Sequence, residues 1–442
     1  MIFQGWVEPV CYREEHMNSF TTGWRRALGV TVAGIAIISA STAFAATTVN
    51  VWCWDKNFNG AAMNEAAARY SKAHPDVTIN IDVTMTQDDI RAKLQTQLLA
   101  NSTAGLPDVV LIEDDVAQKY LQSFPNAFVP LGDSIDMSQF AQYKVKPATL
   151  NGKSYSLPFD SGVTGLFYRS DYLEQSGHKA ADLDNITWDK FIQIGQDVKA
   201  KTGHNLIGLD LNGDGLIRIM MQSAGKWYFD KDGKLDIVGN APLKAALTTY
   251  AKIWKADIVK PVSGWNDFTG AFTSGDTTVA LDGVWMTGTV KSQPTQSGKW
   301  AIAPIPKLDG VEGATNFSSE GGSSWYVLSS APAKDAAIDF LKTVWAGDKD
   351  FYQKILVGQG AFSAWMPAVD GDAYKSSDAF FGGQPVWKNF SDWQAKIPAI
   401  EYGTYTAEVD AAVVAQLPAI SKGGSVDDAL KAINDQAAQQ IQ

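Results

Sequence analysis

An α/β chain of two lobes, each built on a parallel-rich sheet flanked by helices, is what this sequence predicts, and three observations carry that prediction. At 442 residues the chain is longer than one hydrophobic core supports, since single cores stop growing at about 250–300 residues. Residues 48–115 alternate strand and helix signals in a β-α-β-α-β rhythm, the pattern of a parallel sheet. The stretch 151–177, NGKSYSLPFDSGVTGLFYRSDYLEQSG, then sets two strands on either side of a Pro/Gly-interrupted join that carries Asp160. Pro158 fixes its own φ and biases Leu157 toward extended geometry, so the join is stiff without being helical. Such a join suits a chain crossing from one lobe to the other. An ordinary connection within one sheet fits the same residues.

Taken in order, the N-terminal residues read as a targeting segment. Met17 is the expected natural start, followed by Arg25-Arg26, the apolar run Ala27 to Ile38 and the small-x-small site Ala43-Phe44-Ala45. That is a charged region, a short apolar region and a cleavage site, with cleavage expected after Ala45. The apolar run falls short of the roughly 20 residues a membrane span needs. Residues 1–16 read as an extension, and no Cys follows the cleavage site to take a lipid. Cys11 falls in the removed part, leaving Cys53 alone and the mature monomer without an internal disulfide. An exported chain of this kind fits a periplasm.

Thr48 to Trp54 reads as the first strand. A Gly/Asn-rich bend precedes a helix with Met63, Ala66, Ala67 and Tyr70 on one face, ended by His74-Pro75. Val77 to Val83 is the next strand. Thr86 with Asp89 forms a capping box before a helix aligning Ile90, Leu94 and Leu98. Asp108 to Ile112 is a continuously apolar strand ending in Glu113-Asp114-Asp115. Beyond the join come a helix over 186–201 and strands over 206–211, 278–281, 300–304 and 325–328. Two more amphipathic helices carry Leu243, Leu247 and Trp254, and Phe340, Val344 and Trp345. The tail reads as loop-rich from Phe351 to Tyr405 before a last helix bearing Val426, Leu430 and Ile433.

Composition narrows the function. A net charge of −11 argues against nucleic acid, because phosphate binding needs clustered Lys and Arg. Fifteen Trp and 14 Tyr are many for this length; most are expected in the core, and a surplus of flat amphipathic rings also suits a sugar or aromatic ligand. There is no GxSxG, HExxH or Walker loop and there are four His in the chain, so hydrolase, metalloprotease and NTPase readings lack their parts.

Five stretches together resemble the extracellular solute-binding proteins, family 1, of ABC importers, the maltose-binding type. They are TVNVWCWDKNFNG (48–60), LPDVVLIEDD (106–115), GKSYSLPFDSGVTGLFYRSDYLE (152–174), AFTSGDTTVALDGVW (271–285) and EGGSSWYVLSSAPAKDAAIDFLKTVWA (320–346). The family's usual Ala-Met pair in the strand before the Trp is Val279-Ala280 here. The resemblance implies the type II periplasmic-binding-protein fold, a hinge between lobes, a carbohydrate ligand held in the cleft, and delivery to an inner-membrane permease. It places residues 46–157 and 283–347 in the N-terminal lobe, and 158–282 and 348–442 in the C-terminal lobe. A monomer without cofactor, metal or catalytic residue is expected.

The polar ligand contacts are expected from Asp55, Asp115 and Asp160, each at a strand end facing the cleft; Glu113 and Asp114 rank lower. A carboxylate accepts hydroxyl hydrogen bonds, and vicinal sugar hydroxyls offer paired donors to its two oxygens. A helix cap or turn is the other reading of each Asp. Trp54 and Trp285 match family positions that pack on sugar faces, Trp365 is a further candidate, and Trp227 and Phe362 are weaker ones. Core packing is the better reading for Trp300, Trp325 and Trp345. Gly322, with Gly321, would let backbone approach a ligand, or simply make a turn. Asp210-Leu-Asn212-Gly-Asp214-Gly215 fits the first six positions of a calcium-binding loop, but positions nine and twelve are Arg218 and Met221. A turn beside the cleft, with Asn212 donating to ligand, is expected instead. A binding protein for a polyol or peptide, and a secreted glycosidase with paired carboxylates, are the competing readings. An anion is disfavoured by the acidic cleft.

Overall fold

A computed structural model describes residues 46–441. The targeting segment, the extension 1–16 and Cys11 lie outside the described residues. Among the described residues there are twelve strands: β1 (Thr47–Trp52), β2 (Val77–Asp82), β3 (Val109–Glu113), β4 (Thr149–Leu150), β5 (Lys153–Ser154), β6 (Ser156–Pro158), β7 (Thr164–Arg169), β8 (Asn205–Asp210), β9 (Val259–Val262), β10 (Thr277–Gly283), β11 (Trp300–Ala303) and β12 (Ser323–Val327). One five-stranded sheet runs β2-β1-β3-β12-β6 and a second runs β11-β7-β10-β8-β9, with β4 and β5 making a small hairpin. In the first sheet β1 pairs parallel with β2 and β3, while β12 runs antiparallel between β3 and β6. In the second, β8 pairs parallel with β9 and β10, and β7 runs antiparallel to β10 and β11.

The join around Asp160 therefore crosses between sheets. β6 ends the first, residues 159–163 follow Pro158, and β7 enters the second. Every residue of β3, β7 and β12 is buried, as strands covered on both faces must be. Local signals set the helix starts. Thr86 Oγ1 accepts the Asp89 N–H and Asp89 Oδ2 accepts the Thr86 N–H, so the capping box forms as read. Trp300, Trp325 and Trp345 are fully buried core residues.

Three expectations fail. β11 belongs to the second sheet, paired with β7, although 283–347 was expected in the first lobe. Part of 349–370 packs the other way: Phe351, Tyr352 and Ile355 join Trp325 and Trp345 in the core of the first sheet, while Leu356 and Phe362 pack with Phe167 of β7. Apolar periodicity shows that a face is buried without saying against which sheet. The tail also holds more helix than expected, with Lys349–Gln359 and Val386–Gln394 set among its loops and Thr406–Ser421 following it. The first of these starts on Asp348, whose side chain accepts the Phe351 N–H, and stops at Gly360. No described helix is long and apolar enough to cross a membrane.

Candidate functional site

The carboxyl ends of β1, β3 and β10 converge, as strand ends do at the crevice of an open α/β sheet. Between them lies a cavity of about 650 Å³ that takes lining residues from both sheets' elements. Trp54, Asp55, Asp115, Asp160, Trp285 and Gly322, six of the eight residues singled out in the sequence, line it together with Glu113 and Gly321. Asn212 and Trp365 do not. Asn212 turns back on its own loop, its amide donating to Asp210 Oδ1 at 3.2 Å. Trp365 is a core ring 4% exposed, with Nε1 donating to Gln139 Oε1 at 3.0 Å. Trp227 is likewise interior, donating to Thr406 Oγ1, and Phe362 is buried.

Asp55 and Asp160 also have local duties. Asp55 Oδ1 accepts the N–H groups of Asn57 at 2.7 Å and Phe58 at 3.0 Å, closing the turn into the helix Asn59–Tyr70. Asn59 Oδ1 returns the favour by accepting the N–H groups of Trp54 and Asp55. Asp160 Oδ1 accepts from Ser323 N–H at 2.8 Å and Ser323 Oγ at 3.0 Å, tying the crossing to the start of β12. Beneath it sits Lys144, its side chain wholly buried, 2.8 Å from Asp114 Oδ2 and donating to the carbonyls of Ser323 and Asp160. Gly322 has φ +101°, and a Cβ there would come within 2.9 Å of Asp114 Oδ2. Only glycine fits this position, because both its backbone and its space exclude a side chain.

Two arginines, not singled out in the sequence as ligand contacts, complete the wall. Arg91 from the helix Gln87–Leu99 pairs with Glu113. Arg218 from the helix Gly215–Ser223 holds Asp115 Oδ2 at 2.8 Å, joining an element beside the first sheet to one beside the second. Asp410 Oδ2 lies 4.0 Å from the same guanidinium. Burial pushes the Asp214 and Asp410 carboxyls up despite Arg218. Neither Asp214 Oδ2 nor Asp410 Oδ1 finds a donor among the described residues, an arrangement one shared proton satisfies. Glu320 was quoted in the 320–346 stretch and assigned no role, yet it lines the cavity. The calcium-like loop closes as an Asx turn, Asp210 accepting the N–H groups of Asn212 and Gly264.

Burial raises Glu113 to about 7, against the opposing pull of Arg91, and raises Glu320 to about 7, against that of Arg218. A carboxyl whose folded value lies above its unfolded one favours folding while protonated. That contribution is complete below about 4.5 and is lost as pH climbs through about 7. Glu320→Gln should therefore flatten the decline in urea stability between pH 6 and 8. An unchanged slope would show that Glu320 is already ionised below that window.

What this arrangement can do is hold a polyhydroxylated guest. Trp285, half-buried, has its ring centroid 5.5 Å from that of Trp265 and forms an aromatic wall. Trp54 stands at the opposite strand end, and carboxylate oxygens between them accept hydroxyl hydrogens.

Comparison with known proteins bears on the family. The model for bacterial extracellular solute-binding proteins matches residues 57–346. The lactose-binding protein of Rhizobium radiobacter is 57% identical over 418 residues, covering 95% of this chain and 98% of that protein. The arabinooligosaccharide-binding protein of Bacillus subtilis (strain 168) is 24% identical, covering 84% of this chain and 87% of its own. Among solved structures, the sugar-binding protein MalE from Xanthomonas citri shares the fold, with a TM-score of 0.75 at 19% identity, covering 89% of this chain and 98% of that one. With a family match over most of its length and a relative identical at more than half its positions, this chain belongs to the bacterial extracellular solute-binding protein family.

Proposed function

We propose that this chain is the substrate-binding component of an ABC importer, capturing a mono- or oligosaccharide between its two lobes in the periplasm and passing it unchanged to an inner-membrane permease. The single observation that carries the reading is the cavity where Trp54 and Trp285, from different sheets' elements, face a set of carboxylates. The name of the 57%-identical relative, a lactose-binding protein, agrees with it. An anionic solute suits this cavity poorly, because Arg91 and Arg218 are already paired with Glu113 and Asp115. The lobes are the two sheets with their covering helices, and the hinge is the crossing at Asp160. A guest touching both lobes favours the closed arrangement over the open one, and differential affinity of this kind is what moves such an equilibrium.

Lactose, maltose, cellobiose and their monosaccharides, screened by thermal melting of the purified monomer, test the reading. A ligand present at 100 times its dissociation constant adds about 2.7 kcal/mol to stability and raises the melting temperature accordingly. The sugar should be recovered intact after incubation. Hydrolysis would favour a glycosidase, and no shift with any saccharide would remove sugars as the ligand class.

A further inference from the structure

Arg218 is shared between acids that belong to different lobes. Its Nη2 holds Asp115 Oδ2 at 2.8 Å, and Asp115 sits on the helix Asp114–Ser123, which follows β3 of the first sheet. Its Nη1 lies 4.0 Å from Asp410 Oδ2, on the helix Thr406–Ser421, whose Val409, Ala412 and Val413 pack in the core of the second sheet. Within hydrogen-bonding reach of Asp410 is Asp214. Asp214 occupies the N-cap position of the helix Gly215–Ser223, yet its side chain caps nothing.

From this geometry we infer that solute capture is proton-linked: Asp115 competes with the Asp214–Asp410 pair for Arg218, so the pair takes up one proton as the cleft closes and releases it as the cleft opens. The inference rests on the closing-cleft reading above and does not depend on which solute is bound.

While Asp115 engages Arg218 across the cleft, the acid pair keeps too little positive charge to ionise twice. Asp214 Oδ2 and Asp410 Oδ1 are buried and find no donor among the described residues, and two close carboxyls in that position share a proton. Parting the lobes carries Asp115 away with the first sheet and leaves Arg218 beside Asp214 and Asp410. An undivided guanidinium favours the doubly ionised pair, and the proton leaves. The other groups around the pair do not replace Arg218. Burial pushes the Tyr228 and Tyr402 phenols up. Glu320 faces Arg218 from the segment before β12 and adds a further acid. Glu408 is taken by Lys119 at 3.1 Å, and the Trp227 ring centroid lies 5.8 Å from the guanidinium. A proton held more tightly in the closed form favours closure while bound. Solute affinity is therefore full below the open-form pKa of the pair and is lost as pH climbs through the closed-form one.

Calorimetry with lactose, run in two buffers of different ionisation enthalpy, counts the protons. Wild type should take up protons on binding and lose about fivefold or more in affinity between pH 5 and pH 9, one linked proton allowing at most about tenfold per pH unit. Asp410→Asn and Asp214→Asn each put an amide N–H where the shared proton sits, with circular dichroism confirming the fold. Either should keep at pH 9 the affinity that wild type shows at pH 5, and should lower the proton count by about half a proton or more. Glu320→Gln should leave that part of the uptake in place. No proton exchange in wild type, uptake that survives both asparagine variants, or uptake abolished by Glu320→Gln instead overturns the coupling and leaves solute binding standing. Should lactose not bind, X-ray scattering of the guest-free protein decides. The radius of gyration should grow from pH 5 to pH 9 in wild type and stay constant in Asp410→Asn, and any other pattern overturns the proposal.

Discussion

Lys144→Met should cost about 3–5 kcal/mol of folding stability in urea titration, the range for removing one partner of a buried ion pair. The side chain of Lys144 is 0% exposed, and that of Asp114, 2.8 Å away, is 9% exposed. Methionine fills nearly the same volume, so the loss would come from charge and hydrogen bonding rather than from a hole. Three acceptors lose their donor at once: Asp114 Oδ2 and the carbonyls of Ser323 and Asp160. Burial already raises the Asp114 carboxyl, with Lys144 opposing, so in the variant this group would take up a proton rather than remain a lone buried charge. Asp114→Asn in the Lys144→Met background should then recover part of the loss, with a coupling on the order of 1–3 kcal/mol. A loss under about 1 kcal/mol, or strict additivity, would mean that water reaches this pair.

The same lysine shows what sequence reading could not reach. The capping box at Thr86 and Asp89 was legible because both partners lie within one turn. The stiff join at Pro158 was legible because proline and glycine constrain the backbone locally, although the residues alone fitted a connection within one sheet as well as a crossing. The Trp54, Asp55, Asp115 and Trp285 positions were legible because strand ends in an α/β sheet are where a cavity forms. Arg218 and Asp115 stand 103 residues apart, and nothing in the local pattern of either announces the other. A charged residue at position nine of the calcium-like loop was noticed, but only as a mark against calcium. Trp365 and Asn212 were misplaced for a related reason. A tryptophan in the glycine-bounded stretch GAFSAWMP has no periodicity to say whether its ring faces a core or a cavity. The structure turns it against Tyr352, with centroids 5.7 Å apart. Asp160 lines the cavity, but its bonds to Ser323 make it a fastening of the crossing as well. Loss of affinity in an Asp160 variant would therefore report two effects together.

Trp285→Ala separates those effects, and should weaken saccharide binding by ten- to a hundredfold without unfolding the protein. The ring is half-buried and lines the cavity, so its removal strips that aromatic surface while β10 keeps its pairing with β7 and β8. A sugar face covering roughly 60–100 Å² of the ring is worth about 1.5–2.5 kcal/mol at ~25 cal/mol per Å². At 1.4 kcal/mol per decade that is the expected loss in affinity. Trp285→Phe keeps a smaller flat ring and should lose less than tenfold, which a steric or folding defect would not reproduce. Trp265 offers the control. It is 50% exposed and packs at a tilt against Trp285, outside the cavity lining, so Trp265→Ala should cost no more than about threefold. If calorimetry finds Trp285→Ala within threefold of wild type, the guest does not rest on this ring. The wall would then have to be Trp54 and Phe58 on the opposite side of the cavity.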